Sequence, residues 1–247
     1  MAAGVSYDEA STPHGLRLYA VGDIHGRHDL LAAMHARLME EILHDRPADW
    51  RIIYLGDYVD RGANSRGVIE YLAGLHERDP RVIALAGNHD LGFLDFLASP
   101  DPFGLFACNG GFETALSYGV EIDLTSRERM MPGHAALVRA VPQRHRAFLA
   151  TLPYSVSFGD FFFCHAGIRP GIALEAQSAD DLVWIRREFH AFDELHPKLI
   201  VHGHTPVRTP ELCKNRINLD TGAWHSGRLT ALRMEGREKR LIEVACG

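Results

Sequence analysis

Three times in the N-terminal half, an apolar run of β-forming residues ends in a polar block flanked or led by glycine. Arg17-Leu18-Tyr19-Ala20-Val21 leads into Gly22-Asp23-Ile24-His25-Gly26. Arg51-Ile52-Ile53-Tyr54-Leu55 leads into Gly56-Asp57-Tyr58-Val59-Asp60-Arg61-Gly62, and Arg81-Val82-Ile83-Ala84-Leu85 into Gly87-Asn88-His89-Asp90. Between the first two, residues 29–44 carry Leu30, Leu31, Met34, Leu38 and Ile42 at helical spacing, closed by Pro47. Residues 65–78 read as the next helix. Strand and helix in alternation imply right-handed crossovers and parallel strands. Each polar block then lies at the C-terminal end of a strand, where open α/β sheets keep their crevices.

The second half is richer in strands: Tyr154–Phe158, Phe161–Cys164, Leu199–Val201, Arg216–Leu219, Leu229–Met234 and Leu241–Val244. Gly159-Asp160 predicts a hairpin between the first two. A fourth polar block, His202-Gly203-His204-Thr205, follows Leu199–Val201. The fold class expected is α/β, with two mixed β-sheets in a sandwich flanked by helices. Residues 92–133 have no clean period and read as short helices and loops forming a lid or wall, with a turn at Asn109-Gly110-Gly111. Pro142 to Thr151 reads as helical. Residues 1–13 are expected to be a loose lead-in to a single domain filling 1–247.

Asp, His and Asn side chains delivered by separate strand ends can converge on one point. Carboxylate oxygen with imidazole nitrogen suits manganese, iron or zinc. Asp23 and His25 lie two apart and point to one side if the strand persists. Asp57 has two oxygens and can bridge two cations, which two-metal sites hold roughly 3.5–4 Å apart. Asn88, His89, His165 and His204 occupy comparable strand-end positions. Arg61 adds a planar cation suited to phosphate. From its own segment Arg186 reads as an ion-paired helix residue, with a second phosphate contact as the alternative. Trp184 reads as core packing. His202 stays unassigned, and the other histidines read as packing, capping or solvated residues. The blocks together point to metal-assisted phosphate chemistry.

Composition narrows the function classes. The chain has 247 residues, a net charge of −6 and a pI of about 6.2. An acidic balance argues against sequence-independent nucleic-acid binding. No apolar run approaches the roughly 18 residues of a membrane span, and the N-terminus lacks a secretory pattern. Cys108, Cys164, Cys213 and Cys246 form no CxxC pair, so a reduced cytoplasm is the expected location.

In this order the blocks resemble the phosphoprotein phosphatase branch of the calcineurin-like metallophosphoesterases. The likeness is greatest to the compact bacterial and lambda-phage type of Ser/Thr protein phosphatase, and it spans roughly residues 14–246. The resemblance implies two divalent ions, manganese foremost with iron or zinc as alternatives. Asp23, His25 and Asp57 are the implied ligands of the first ion, and Asp57, Asn88, His165 and His204 those of the second. It further implies attack by a metal-bridging hydroxide, His89 as the general acid oriented by Asp60, and phosphate held by Arg61 and Arg186. Leu219-Asp220-Thr221-Gly222-Ala223 is implied as a supporting segment.

Pro206 replaces a histidine that many relatives use on the first metal, and Asp90 stands where eukaryotic enzymes have Glu. The implied partners are a phosphorylated protein or a small phosphoester, with no nucleic acid, no membrane and no dedicated regulatory subunit. The alternatives on the same fold are a symmetrical dinucleoside tetraphosphate hydrolase and a broad-specificity phosphoesterase. Asp60 favours an alkoxide leaving group and therefore phosphoserine or phosphothreonine.

Overall fold

Alternation along β1 (Leu16–Val21) decides the layering. Leu18 and Ala20 join one apolar cluster, Tyr19 and Val21 another, and all four are buried. A strand buried on both faces needs a layer on each side. The computed structural model describes residues 4–246 and supplies both layers.

The first crossover is α1 (His28–Asp45), whose Leu30, Leu31, Met34, Leu38 and Ile42 are buried as the spacing predicts. It ends in Arg46 at φ 51°, whose N–H bonds back to Ile42, one residue before Pro47. β2 (Asp49–Tyr54) pairs parallel with β1, α2 (Ser65–Arg78) crosses back, and β3 (Val82–Ala84) pairs parallel with β2.

The segment 92–133 is more helical than its sequence suggests. α3 (Asn88–Ala98) runs into it, followed by α4 (Leu105–Cys108), α5 (Gly111–Ser117) and α6 (Arg127–Ala140). Pro132 and Gly133, which argue against a helix on paper, are accommodated inside α6. The aromatic residues here form core: Phe106 stacks on Phe93 at 5.3 Å and on Phe96 at 4.3 Å. Gly110, at φ 100°, makes the expected turn into α5. The helix expected near 142–151 is α7 (Gln143–Ala150).

The second sheet starts with the expected hairpin, β4 (Ser155–Phe158) and β5 (Phe161–Cys164). After α8 (Ala179–Trp184) and α9 (Arg187–His190), β6 (Leu199–His202) pairs parallel with β5. β7 (Glu211–Leu212) lies antiparallel to β8 (Arg216–Asn218), which is parallel to β6. The short α10 (Ala223–Ser226) then leads to β9 (Arg228–Glu235) and β10 (Glu238–Ala245), an antiparallel pair that returns to β1. The strand orders are β10-β9-β1-β2-β3 and β4-β5-β6-β8-β7, both mixed as expected.

Leu18, Ala20, Ile53, Phe161, Phe163, Val201 and Leu232 form one apolar cluster drawn from both sheets. Tyr19 and Val21 of the first sheet pack instead with apolar residues of α1, α2, α3 and α6. Phe162, Cys164 and Ile200, on the other face of the second sheet, pack with Leu182 and Phe189.

The described part of the lead-in, residues 4–13, is tied down rather than loose. Val5 N–H donates to His196 O at 2.9 Å, Tyr7 N–H to Lys214 O at 2.8 Å, and Ala10 is buried. Residues 1–3 lie outside the described residues. No helix among the described residues is long and apolar enough to cross a membrane, and all four cysteines are free.

Candidate metal centre

The loops that leave β1, β2, β3, β5 and β6 bring the expected residues together. Six non-glycine residues among those described have positive φ, and five belong here: His25, Asp57, Asp60, Arg61 and His204. That backbone costs on the order of 1–3 kcal/mol per residue and persists where the surroundings over-determine it. Two glycines make the approach possible. A Cβ on Gly87 would strike the backbone and carboxylate of Asp57, and one on Gly203 would strike the carboxylate of Asp23.

Backbone carbonyls set the tautomers of two histidines. His25 donates Nδ1–H to Val59 O at 2.7 Å, and His165 donates Nδ1–H to Leu55 O at 2.9 Å. Each then turns the lone pair of Nε2 inward. Asp57 meets both: Oδ2 is 3.4 Å from His25 Nε2, and Oδ1 is 3.4 Å from His165 Nε2. Asn88 Oδ1 lies 3.0 Å from His165 Nε2 and 2.9 Å from His204 Nδ1, with the two imidazole nitrogens 3.2 Å apart.

His204 Nδ1 can bond to Asn88, but the lone pairs of His165 Nε2, Asp57 and Asn88 repel this close together unless a proton or a cation lies among them. Two donors on one ion, each about 2.1 Å from it, stand roughly 3.0–3.4 Å apart. The donor set therefore fits two ions that share Asp57. Two groups could hold metal, His25–Asp57–His89 and Asp57–His165–His204, with ligand atoms within 4.8 Å in each. Asp23 joins neither group. Its carboxylate accepts the backbone N–H of His204 at 3.1 and 3.3 Å.

Around this centre stand the proton-carrying and cationic groups. His89 donates Nδ1–H to Asp60 Oδ2 at 2.7 Å, with both side chains buried. Arg61 spans two rings, its Nη1 at 2.9 Å from His25 Nε2 and its Nη2 at 2.9 Å from His89 Nε2. Arg186, between α8 and α9, donates from Nε to His204 Nε2 at 2.9 Å. It belongs to the site, so its segment-only reading as an ion-paired helix residue is corrected. His202 does not belong. Its buried ring packs on Phe189 and His190, and its Nδ1 is 3.0 Å from Gly203 O.

Electrostatics separates the roles. Burial holds the His25 imidazole down to about 3, which keeps it a neutral donor. Burial would raise the Asp57 carboxyl, but His165, His89 and His25 hold it well below its usual range. His89 moves the other way from His25. Burial pulls it down, yet Asp57 and Asp60 outweigh that and raise it.

Further residues support the site, and two of them, Thr114 and Trp224, were not singled out from the sequence. Thr114 of α5 donates its hydroxyl to Asp60 Oδ1 at 2.9 Å and accepts the Asp60 N–H at 2.8 Å, beside Ser65. Gly110 O accepts the Arg61 N–H at 3.0 Å. The buried carboxylate of Asp90 takes the N–H groups of Asp57, Tyr58 and Gly87 at 2.9 Å each, which fixes the loop that carries Asp57. Asp220, in the segment expected to support the site, is buried and accepts the Gly222 N–H at 2.9 Å. Trp184 is 46% exposed and edge-on to His204, which corrects its reading as core packing. The surface tryptophan Trp224 lies under the guanidinium of Arg61 at 5.6 Å.

Comparison with known proteins agrees with this geometry. Residues 16–233 match the model of the calcineurin-like phosphoesterase family. The chain belongs to that family. Phosphoesterases of this kind depend on a dinuclear metal centre, and the His/Asp groups above could hold one. Among curated relatives is an asymmetrical bis(5'-nucleosyl)-tetraphosphatase of Bacillus velezensis, 26% identical, the match covering 90% of this chain and 91% of that protein. The namesake from Bacillus subtilis is also 26% identical, over 86% of this chain and 88% of its own length. A solved structure provisionally assigned as a diadenosine tetraphosphatase superposes with a TM-score of 0.64 at 20% identity, covering 94% of this chain and 95% of that one. That structure shares the fold of two mixed sheets flanked by helices.

Proposed function

We propose that this chain is a two-metal hydrolase of dinucleoside tetraphosphates that cuts them into unequal halves. Asp57 carries the chemistry, because one carboxylate presents an oxygen to each of two histidine-containing groups. The relatives that match about nine-tenths of the chain support the substrate class.

The proposed ligands are Asp23, His25 and Asp57 for one ion and Asp57, Asn88, His165 and His204 for the other. Bound divalent ions would supply an activated water and neutralise phosphoryl charge. Arg61 and Arg186, already aimed at the ligand histidines, would hold the phosphate oxygens through their planar N–H donors. His89 would give a proton from Nε2 to the leaving oxygen. Asp60 on Nδ1 aims the ring and favours its charged form.

That same pair favours a second reading, a Ser/Thr protein phosphatase. An alkoxide leaves poorly without a proton, and a positioned donor serves it more than it serves a nucleotide. The test compares kcat/KM for diadenosine tetraphosphate and for a phosphoserine peptide, on protein stripped of metal and on protein reloaded with Mn²⁺. Preference for the dinucleotide, with mono- and triphosphate as products, supports the first reading. Preference for the peptide replaces it with the second. Full activity in the stripped protein removes two-metal catalysis from both.

A further inference from the structure

Large aromatic side chains are costly to leave in water, and two of the three tryptophans are left there beside the metal centre. Trp50 is 5% exposed, whereas Trp184 is 46% and Trp224 is 41% exposed. They stand at different ends of the site. Trp184 closes α8 and meets the second ligand group, its ring 6.1 Å from that of His204 at 85°. Trp224, in α10, borders the first group through Arg61, whose guanidinium also meets His25 and His89.

Trp184 lines a cavity, and the chain neighbour of Trp224 lines another. One of about 560 Å³ is lined by Asn88, Leu91, Phe96, Leu105 and Trp184. Another of about 650 Å³ is lined by Pro206, Arg208, Thr221, His225 and Arg228, with His225 the chain neighbour of Trp224 and 4.8 Å from it ring to ring. Each cavity is of the size that takes a small-molecule group.

We infer that Trp184 and Trp224 are the two base-stacking platforms of the site, one for each nucleoside of a substrate whose polyphosphate crosses the metal centre. This rests on the dinucleotide reading above. An indole face is a sequence-tolerant partner for any base. A phosphoserine side chain has no planar group for either platform. Two platforms flanking one centre match a substrate with a base at both ends.

The test uses the Mn²⁺-loaded protein and the variants Trp184→Ala, Trp184→Phe, Trp224→Ala and Trp224→Phe. The reading is the ratio of kcat/KM on diadenosine tetraphosphate to kcat/KM on phosphoserine. Loss of one stacked base corresponds to roughly 5- to 150-fold. Each alanine variant should lower the ratio within that range, chiefly through KM for the dinucleotide, and each phenylalanine variant should restore most of it. If the parent cleaves the dinucleotide and the alanine variants keep the parental ratio, the platforms are overturned and the function stands. If both substrates fall by one common factor, the tryptophans only support the centre and the inference is again overturned. A parent that turns over phosphoserine and not the dinucleotide overturns the function, and the platforms with it.

Discussion

Asp60 Oδ2 and His89 Nδ1 form a buried contact of 2.7 Å that leaves Nε2 of His89 facing Arg61 and the ligand groups. A ring held this way by a carboxylate can give a proton or ligate a metal, and His89 lies close enough to Asp57 and His25 for either. His89→Asn should cut kcat about 10²- to 10⁴-fold while bound metal stays at the parental level. Turnover and elemental analysis of the same sample check it. Metal loss in parallel with activity would make His89 a ligand instead.

Arg186 reaches His204 from outside the sheet, and Arg61 reaches His25 and His89. Removing Arg186 leaves the described ligand atoms in place and deletes a cation that would meet phosphate. Arg186→Ala should raise KM by roughly tenfold, as loss of a charge-assisted contact worth about 1.5 kcal/mol would, with a smaller change in kcat. Steady-state kinetics on the preferred substrate checks this. Parental KM would leave Arg186 as a support for His204.

Asp57 is the residue on which both ligand groups depend. Asp57→Asn keeps the shape and one oxygen but removes the charge and one acceptor. Bound metal should fall by at least half, and activity should be lost even when Mn²⁺ is added back. Full metal content with full activity would end the bridging assignment.

Much of this site was legible because its residues follow apolar strands. Continuous apolar runs placed β1, β2, β3, β5 and β6, and the blocks at their ends carried Asp23, His25, Asp57, Asn88, His89, His165 and His204. What stayed hidden comes from elements whose pattern is not periodic. Thr114 reaches Asp60 from α5, a helix of seven residues too short to show a repeat. Pro132 and Gly133 masked α6. Asp90 looked like a minor change of side-chain length, and its role rests on three backbone N–H groups that no sequence pattern records. Trp184 looked like core because indoles usually are.

Thr114 offers a check on that hidden layer. Its hydroxyl serves Asp60 twice, accepting the N–H and donating to Oδ1. Thr114→Val keeps the shape and strips both contacts from a buried carboxylate, a loss of about 1–3 kcal/mol. We expect a lower Tm and a fall in kcat of about tenfold, with Thr114→Ser restoring both. If Thr114→Val lowers Tm and leaves kcat untouched, Thr114 supports the fold and not the orientation of Asp60.

Buried histidines outside the centre make stability sensitive to acid. His196 stacks between Phe189 and Phe192, with ring centroids 5.6 and 4.9 Å away, and its Nε2 has no partner among the described residues. Burial first, and then the Arg216 guanidinium, lower its imidazole to about 4. Burial likewise lowers His35 and His190. A folded-state value below the unfolded one means that the unfolded chain binds the extra proton once pH drops below about 6.5. Stability from these groups is therefore full above that pH and is lost as pH falls toward 4. The share of the urea midpoint that these histidines set should be flat from pH 8 to 7 and decline between pH 6.5 and 4. In His196→Phe, which keeps the stacked ring and cannot titrate, the decline should be shallower at unchanged m-value. A variant with the parental slope would mean that His196 takes up its proton in the folded state as readily as in the unfolded chain.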